Sequence, residues 1–516
     1  MRNKLFLAIA VIAVSTNGSV AQTTPTWSGD IANIIYNNCT SCHRYGGIAP
    51  FPLSDFTSVS NNSASIVQQV TSKKMPPWKP DPNYRHFKGE KYLSQAQITK
   101  IENWVNAGKP FGNIANEPPL PTFVNGSVLQ SIDQTINTPN YTINSAIDVY
   151  RTYVIHANNT QDKYLNTVEF LPGNGAAVHH IILFQDSTNV SNNLDIADPE
   201  PGFASNGTMQ TSAGASYVAL WAPGAGVYQL PHNMGIRIKP GTDFLVEVHY
   251  APNNLGQTDS STINIKYTTE PNIREVFVDP FMDWNFPSIV NGPLAIPANQ
   301  TKTVKQRFTN SQDISVISVF PHMHKIGKSY KIYTTNFSNA DTTKYLFIPD
   351  WNFHWQGFYT FQKIQKFAAN QRLWGEAFYD NTTNNEDNPS SPPINVVAGE
   401  HTTDEMMVTF LAYTNYAVGD EEIVLDSNLF AAINEKEINI SVSIYPNPCK
   451  DVLNINTPNS FNSKTVYKIV DVFGSVVNTG TLNNKNINTT ALISGIYIVI
   501  LNDENNKIAK LRFVKN

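Results

Sequence analysis

The sequence predicts a multidomain, mainly β protein: a small all-α domain, two tandem antiparallel β-sandwiches and a small C-terminal β-sandwich. Three observations predict it. Residues 28–115 hold two amphipathic helical patterns around a Pro-rich loop, 74–78. From about 122 to 425, β-branched and aromatic runs such as 244–250 alternate with Gly, Asn and Pro turns, which suits sandwiches better than α/β units. After about 430, short strands resume and continue to the last residue.

The bulk numbers agree. At roughly 150 residues per domain, 516 residues imply three or four domains. A hydrophobic fraction of 41% supplies several cores. A net charge of −5 and a pI near 6.1 argue against nucleic acid or an anionic membrane as partner. The N-terminus has a basic start, Met1-Arg2-Asn3-Lys4, an apolar run over 5–14 and small residues ending at Val20-Ala21-Gln22. That is a signal peptide over 1–21, too short to span a bilayer. Exported proteins usually spend cysteines on disulfides. This chain has three, none between 43 and 448, so its central region must hold together without them.

In the first domain, 28–115, Asp30 ahead of Ile31, Ile34 and Ile35 predicts a capped helix leading into Cys39-Thr40-Ser41-Cys42-His43. A second helix starts at Ser94, carries Ile98, Ile101, Trp104 and Val105, and stops at Gly108 and Pro110. C-x-x-C-H is the attachment pattern of a c-type haem: two thiols add to the vinyl groups and the adjacent His43 becomes an axial ligand. Met75, in a loop held by Pro76 and Pro77, is the leading candidate for the sixth ligand, with His86 as the alternative. A Met ligand raises the reduction potential. The bland reading of Met75 is simple packing. On Cys39, Cys42, His43, the 75–78 loop and the helix around Trp104, this domain resembles a class I monohaem cytochrome c.

The central region divides near 270–290 into domains 122–275 and 276–425. On a strand, residues two apart face the same way, so His322 and His324 can share one metal. Met406, on a neighbouring strand, could complete the set; alternation lets only one of Met406 and Met407 face it. Two imidazoles and a thioether suit copper cycling between its two oxidation states. Zinc rarely takes a thioether. His179 and His180 are adjacent and can bind one ion only at a bulge or strand end, with His249 as a plausible third ligand. Taken singly, a His pair is more often a satisfied surface pair; the five histidines with a following Met are stronger jointly. Of the remaining histidines, His156 and His232 read as ordinary polar positions, His354 as a packing residue and His401 as a possible lining of the Met406 site.

Residues 140–420 resemble the copper type II ascorbate-dependent monooxygenases, the family of peptidylglycine α-hydroxylating and dopamine β-monooxygenase. The matching words are 178–184 around His179-His180, Trp221-Ala222-Pro223-Gly224, Val248-His249-Tyr250, Pro321-His322-Met323-His324 with Gly327, 351–356 and Asp404-Glu405-Met406. The resemblance implies two jelly-roll copper domains. His179, His180 and His249 would hold an electron-transfer copper; His322, His324 and Met406 would hold the catalytic copper that meets dioxygen. The implied reaction is RH + O₂ + two electrons + two protons giving ROH and water. Two departures bear on substrate. Phe320 stands where peptide-amidating members place an Arg, and Val408 and Phe410 replace polar groups, so the pocket should be more apolar. The family's disulfides are absent as well.

The tail, 438–516, resembles the C-terminal sorting domain of the type IX secretion system, confined to the Bacteroidota. The words are Tyr445-Pro446-Asn447-Pro448, a Gly474 turn, Ser494-Gly495-Ile496-Tyr497 and 510–515. A carbohydrate-binding sandwich is the alternative, disfavoured by the lack of clustered aromatics. The expectation is therefore a secreted or surface-attached copper monooxygenase with two coppers and one covalent haem. Its partners would be O₂, an organic substrate, an external donor (an ascorbate-like reductant or redox protein) and the secretion machinery. The rival readings are a haem and copper electron-transfer protein without oxygen chemistry, and a copper-free binding protein carrying a cytochrome domain.

Overall fold

The computed structural model describes residues 24–516 except 48, 124–125, 206–214, 286, 400, 427–441, 458–464, 472–475, 483–484 and 503–507. The signal peptide over 1–21 and the Gly474 turn lie outside the described residues. The chain is mainly β and falls into two compact units.

The first unit comprises the chain up to 45, 51–76 and 92–122. A helical run starts at Trp27–Ile31 and continues as Ala32–Asn38. Its cap is Thr26, whose side chain accepts the Gly29 N–H; Asp30, expected at the cap, sits in the first turn and pairs with Lys100 at 2.8 Å. A negative charge there complements the helix dipole. Phe56–Asn61 and Gln95–Asn106 begin with reciprocal capping boxes, Asp55 with Ser58 and Ser94 with Gln97. Trp27, Ile31, Ile35, Ile98, Ile101 and Trp104 close the core.

The second unit holds residues 46–50, 77–91 and 123 onward. Its first group of strands forms a five-stranded sheet in the order Phe203–Ala204, Val149–His156, Asp243–Tyr250, Val178–Asp186, Ala215–Trp221, beside a six-stranded sheet built around Lys163–Leu171. The second group forms two four-stranded sheets. One runs Phe277–Met282, Val408–Asn415, Ile314–His322, Tyr359–Phe367; the other contains Gln300–Thr309, Arg372–Asn381, Gly327–Thr335 and Thr342–Ile348. Every residue of Asp243–Tyr250 and Ile314–His322 is buried. Both are interior strands covered on two faces, which is why they read as nearly unbroken apolar runs. Each ends in a histidine segment.

Residues 77–91, read from sequence as part of the α domain, join the second group's core instead. Phe87 is fully buried there, bridged to Phe361, and Asp81 and Lys88 donate backbone N–H groups to Phe347 and Thr360. The tail forms its own three- and four-stranded sheets over a core containing Leu453, Ile469, Val499, Phe513 and the free thiol of Cys449.

Candidate metal centre

The first ligand set sits where Val178–Asp186 pairs with Asp243–Tyr250. His249 lies opposite His180, yet the next residue, Tyr250, lies opposite Val178, so His179 is the extra residue of a β-bulge. The bulge turns two adjacent histidines toward one point. His180 Nδ1 stands 3.3 Å from His179 Nδ1 and 3.3 Å from His249 Nδ1. Two nitrogens each about 2.0 Å from one ion, at a tetrahedral angle, stand about 3.3 Å apart. The three rings form the one group of three or more His, Cys, Asp or Glu with ligand spacing found among the described residues. His249 donates Nε2–H to Asp148 at 2.8 Å, leaving its Nδ1 lone pair for a metal. A carboxylate behind a ligating imidazole fixes its tautomer and raises its basicity. Tyr150 stacks flat on His249, ring centroids 4.1 Å apart.

Burial leaves the three rings unprotonated. Burial, then the neighbouring His249 and His354, pushes the His179 pKa down to about 3. Burial lowers His180 and His249 too, against the pull of Asp148 on the latter. The imidazoles are thus neutral, the form that binds metal. Asp148 is held below its ordinary value chiefly by the His249 hydrogen bond.

The second set stands at the end of Ile314–His322. His322 donates Nδ1–H to Gln356 Oε1 at 2.6 Å, and the Gln356 amide is oriented by its own N–H bond to Phe353. His324 donates Nδ1–H to the Asp404 carbonyl at 3.1 Å. Both rings therefore present Nε2. Burial brings His322 down to about 3 and lowers His324. The register places His322 opposite Val408 and Phe320 opposite Phe410. Residues two apart share a face, so Met406 continues the face of His322, whereas Met407 joins Met282 and Leu411 in the other core. Met406 is 2% exposed. The three-nitrogen set fits copper, and two imidazoles joined by a thioether would fit copper as well.

Three supporting groups escaped the sequence reading. Glu405, 1% exposed, accepts the backbone N–H of His324, Ile326 and Met406, lashing the turn after His322 to the Met406 segment. Burial nevertheless raises its pKa to about 8. Asp148 lies 101 residues from His249 and meets it only because Tyr150 pairs with His249 across the sheet. His354, expected as packing, sets its ring 5.5 Å from His179. Its loop thus touches both sets, through His354 to one and Gln356 to the other. His401 lies exposed at its side chain. An aromatic wall of Phe320, Phe358, Phe410 and Tyr217 flanks His322, with Phe320 and Phe358 centroids 5.0 Å apart.

In the first unit, Cys39 and Cys42 are free thiols in the turn after Ala32–Asn38, and the His43 N–H bonds back to the Cys39 carbonyl at 2.9 Å. His43 donates Nδ1–H to the Phe51 carbonyl at 3.0 Å, leaving Nε2 for a ligand. Met75 belongs to this unit and is 37% exposed. His86 belongs to the second unit, where its ring pairs with Glu90 at 2.8 Å.

Comparison with known proteins adds two family matches. Residues 134–257 match the N-terminal domain of the copper type II ascorbate-dependent monooxygenases, a span holding His179, His180 and His249 but not His322, His324 or Met406. Residues 443–515 match a secretion system C-terminal sorting domain. No curated protein matches. Among solved structures, PorZ, a type-IX secretion component of Porphyromonas gingivalis, is 18% identical over 23% of this chain and 14% of its own, with a TM-score of 0.14. The glycosylasparaginase PNGase F of Flavobacterium meningosepticum is 11% identical over 55% of this chain and 97% of its own, with a TM-score of 0.24. The two family matches support copper binding, copper-dependent oxygenase chemistry, and export by type IX secretion to the surface of a Bacteroidota-type bacterium.

Proposed function

We propose that the chain is an exported monooxygenase that hydroxylates a C–H bond of an organic substrate with O₂, electrons entering through a haem carried on Cys39 and Cys42. The observation that carries it is the pairing of three imidazoles: His249, His322 and His324 each have one ring nitrogen engaged, which leaves the other for a metal, and the Nδ1 atoms of His179, His180 and His249 stand at ligand spacing. The two strand groups would then be two copper-holding sandwiches, 122–275 and 276–425, of jelly-roll type. Copper would supply electron storage at His179, His180 and His249 and dioxygen activation at His322, His324 and Met406.

The chain's own residues do the rest. Asp148 and Tyr150 hold the His249 ring; Gln356 and Glu405 fix the second set. Phe320, Phe358, Phe410 and Tyr217 line an apolar approach to His322 that excludes water and suits a neutral or hydrophobic portion of substrate. In the first unit the thiols, the His43 Nε2 and the Met75 sulfur fit the covalent haem, and Met75 shares that unit whereas His86 does not. The test is metal analysis and a haemochrome spectrum on the purified chain, followed by oxygen uptake with candidate substrates. The expected result is about two coppers per haem with substrate-dependent uptake. Haem without copper after reconstitution would overturn it.

A further inference from the structure

The sheet ordered Gln300–Thr309, Arg372–Asn381, Gly327–Thr335, Thr342–Ile348 buries one face and shows the other to solvent. Val304, Leu373, Ala377, Tyr330 and Ile332 point inward, fully buried in the core of the second group. Side chains alternate along a strand, so their chain neighbours point outward. The antiparallel register sets out that outer face row by row. One row reads Arg307, Trp374, Tyr333, Lys344; the next reads Lys305, Glu376, Lys331, Phe347. None of these side chains is buried. A solvated sheet face needs polar residues of either sign; this one is aromatic and basic.

Its charges do not balance. Glu376 is held between Lys305 at 3.2 Å and the Tyr333 hydroxyl at 2.9 Å, and it attracts Lys331 as well. Asp380, the other acid on this side of its strand, accepts the Thr382 N–H. Among the described residues, Arg307, Lys344 and Arg372 pair with no carboxylate. They rest on rings instead: Arg307 over Trp374 at 5.7 Å, Lys344 over Tyr84 at 5.0 Å and Arg372 over Phe337 at 4.3 Å. Lys331 lies over Tyr333 at 5.8 Å, and the Tyr333 and Trp374 planes are 13° apart. Support of this kind is worth about 0.5–1 kcal/mol at an exposed site and leaves the cation unneutralised. An arriving anion meets charges already in position, which lowers the cost of ordering them. The whole chain carries −5, so the positive excess is local to this face.

We propose that this face binds an acidic polysaccharide, a glycan chain bearing carboxylate or sulfate groups, through Arg307, Lys331, Lys344 and Arg372. Outward residues two apart on a strand lie about 7 Å from each other and neighbouring strands about 4.8 Å. The cations are therefore spread for a chain of anions, not for one. A second copy does not fit, because the face would meet its own charge. Single-stranded nucleic acid fits less well, since base stacking needs open aromatic platforms and these rings already carry cations. Export to the cell surface brings the face to where glycans are. The proposal is independent of the metal sites.

The experiment measures binding of the full chain to immobilised polygalacturonate and dextran sulfate. Neutral dextran, a thymine homopolymer of single-stranded DNA and phosphatidylglycerol vesicles run beside them. At least one acidic glycan should bind, neutral dextran should not, and rising salt should weaken the binding. Arg307→Gln combined with Lys344→Gln should weaken it at least about tenfold and flatten its salt dependence. Both side chains are exposed, so Tm should stay essentially unchanged. Lys266→Gln and Lys468→Gln, which remove exposed cations from other sheets, should leave binding as it was. The proposal is overturned by no binding to either acidic glycan, by equal binding to neutral dextran, or by tighter binding to the DNA or the vesicles. Equal binding in the Arg307 and Lys344 double variant, or an equal loss in the variants on other sheets, overturns it as well.

Discussion

The two ligand sets solve one problem in opposite ways. The three-histidine set is assembled by an irregularity: a bulge brings neighbours together and their Nδ1 atoms converge under a single carboxylate, Asp148. His322, His324 and Met406 sit at strand ends: His322 closes Ile314–His322 opposite Val408, the first residue of Val408–Asn415, and a buried acid, Glu405, bonds the backbone of His324 and Met406 just beyond. The first is backed by Asp148 and the Tyr150 ring; the second lies beside Phe320 and Phe410. An all-nitrogen set suits passing electrons, and a set with a soft donor beside an apolar wall suits chemistry that must exclude water.

The largest blow to this contrast should come from Met406→Ile. Substrate-dependent oxygen uptake is expected to fall at least about 100-fold, about 2.7 kcal/mol of barrier, with haem and the three-histidine copper retained. Undiminished uptake would strip the buried set of its role. Glu405→Gln comes next: it replaces one carboxylate oxygen, which accepts from one or two of the three backbone donors, with a donor. A loss of about 1–3 kcal/mol in unfolding free energy, with copper lost from the buried set alone, is expected by denaturant titration and metal analysis. Asp148→Asn should weaken copper about 10-fold or more at the three-histidine set and leave the other unchanged, read by chelator competition. Equal weakening at both would erase the distinction.

The smallest effect is on pH. His179 and His322, near 3 in the folded chain against an ordinary 6.5, leave the unfolded chain binding more protons between those values, so stability falls as pH falls. Glu405, near 8, and Glu247, raised to about 7 by burial, act oppositely above their ordinary 4.5, because the folded state keeps the proton. Burial lowers His180, His249 and His324 as well, so five histidines oppose two acids and the Tm of the metal-free chain should fall as pH falls from 6.5, more steeply below about 4.5 where the acids no longer compensate. A Tm that holds or rises from pH 6.5 to 5 would mean that these imidazoles accept protons in the folded chain.

What was legible in the sequence followed from chain neighbours and strand period. The Ser94 cap announces its helix, and the adjacent His179 and His180 could meet one ion only at a bulge or a strand end, of which the structure has the bulge; His322 closes its strand, so alternation does not extend to His324. What was not legible depends on register between distant strands. Nothing local marks Asp148 as the partner of His249, or assigns the neighbour of Met406 its three backbone bonds. Residues 77–91 were hidden for another reason: Phe87 looks like any apolar loop residue until a core is present to receive it.

The segment from Trp351 to Gln356 touches His179 through one side chain and His322 through another. Six consecutive residues are too short to move one end and leave the other still, so the two metal equilibria share a mechanical element. By linkage, whatever the first ion gains from ordering that segment, the second gains in equal measure, whichever binds first. Copper loading should then be cooperative, and half-loaded protein scarce at half saturation.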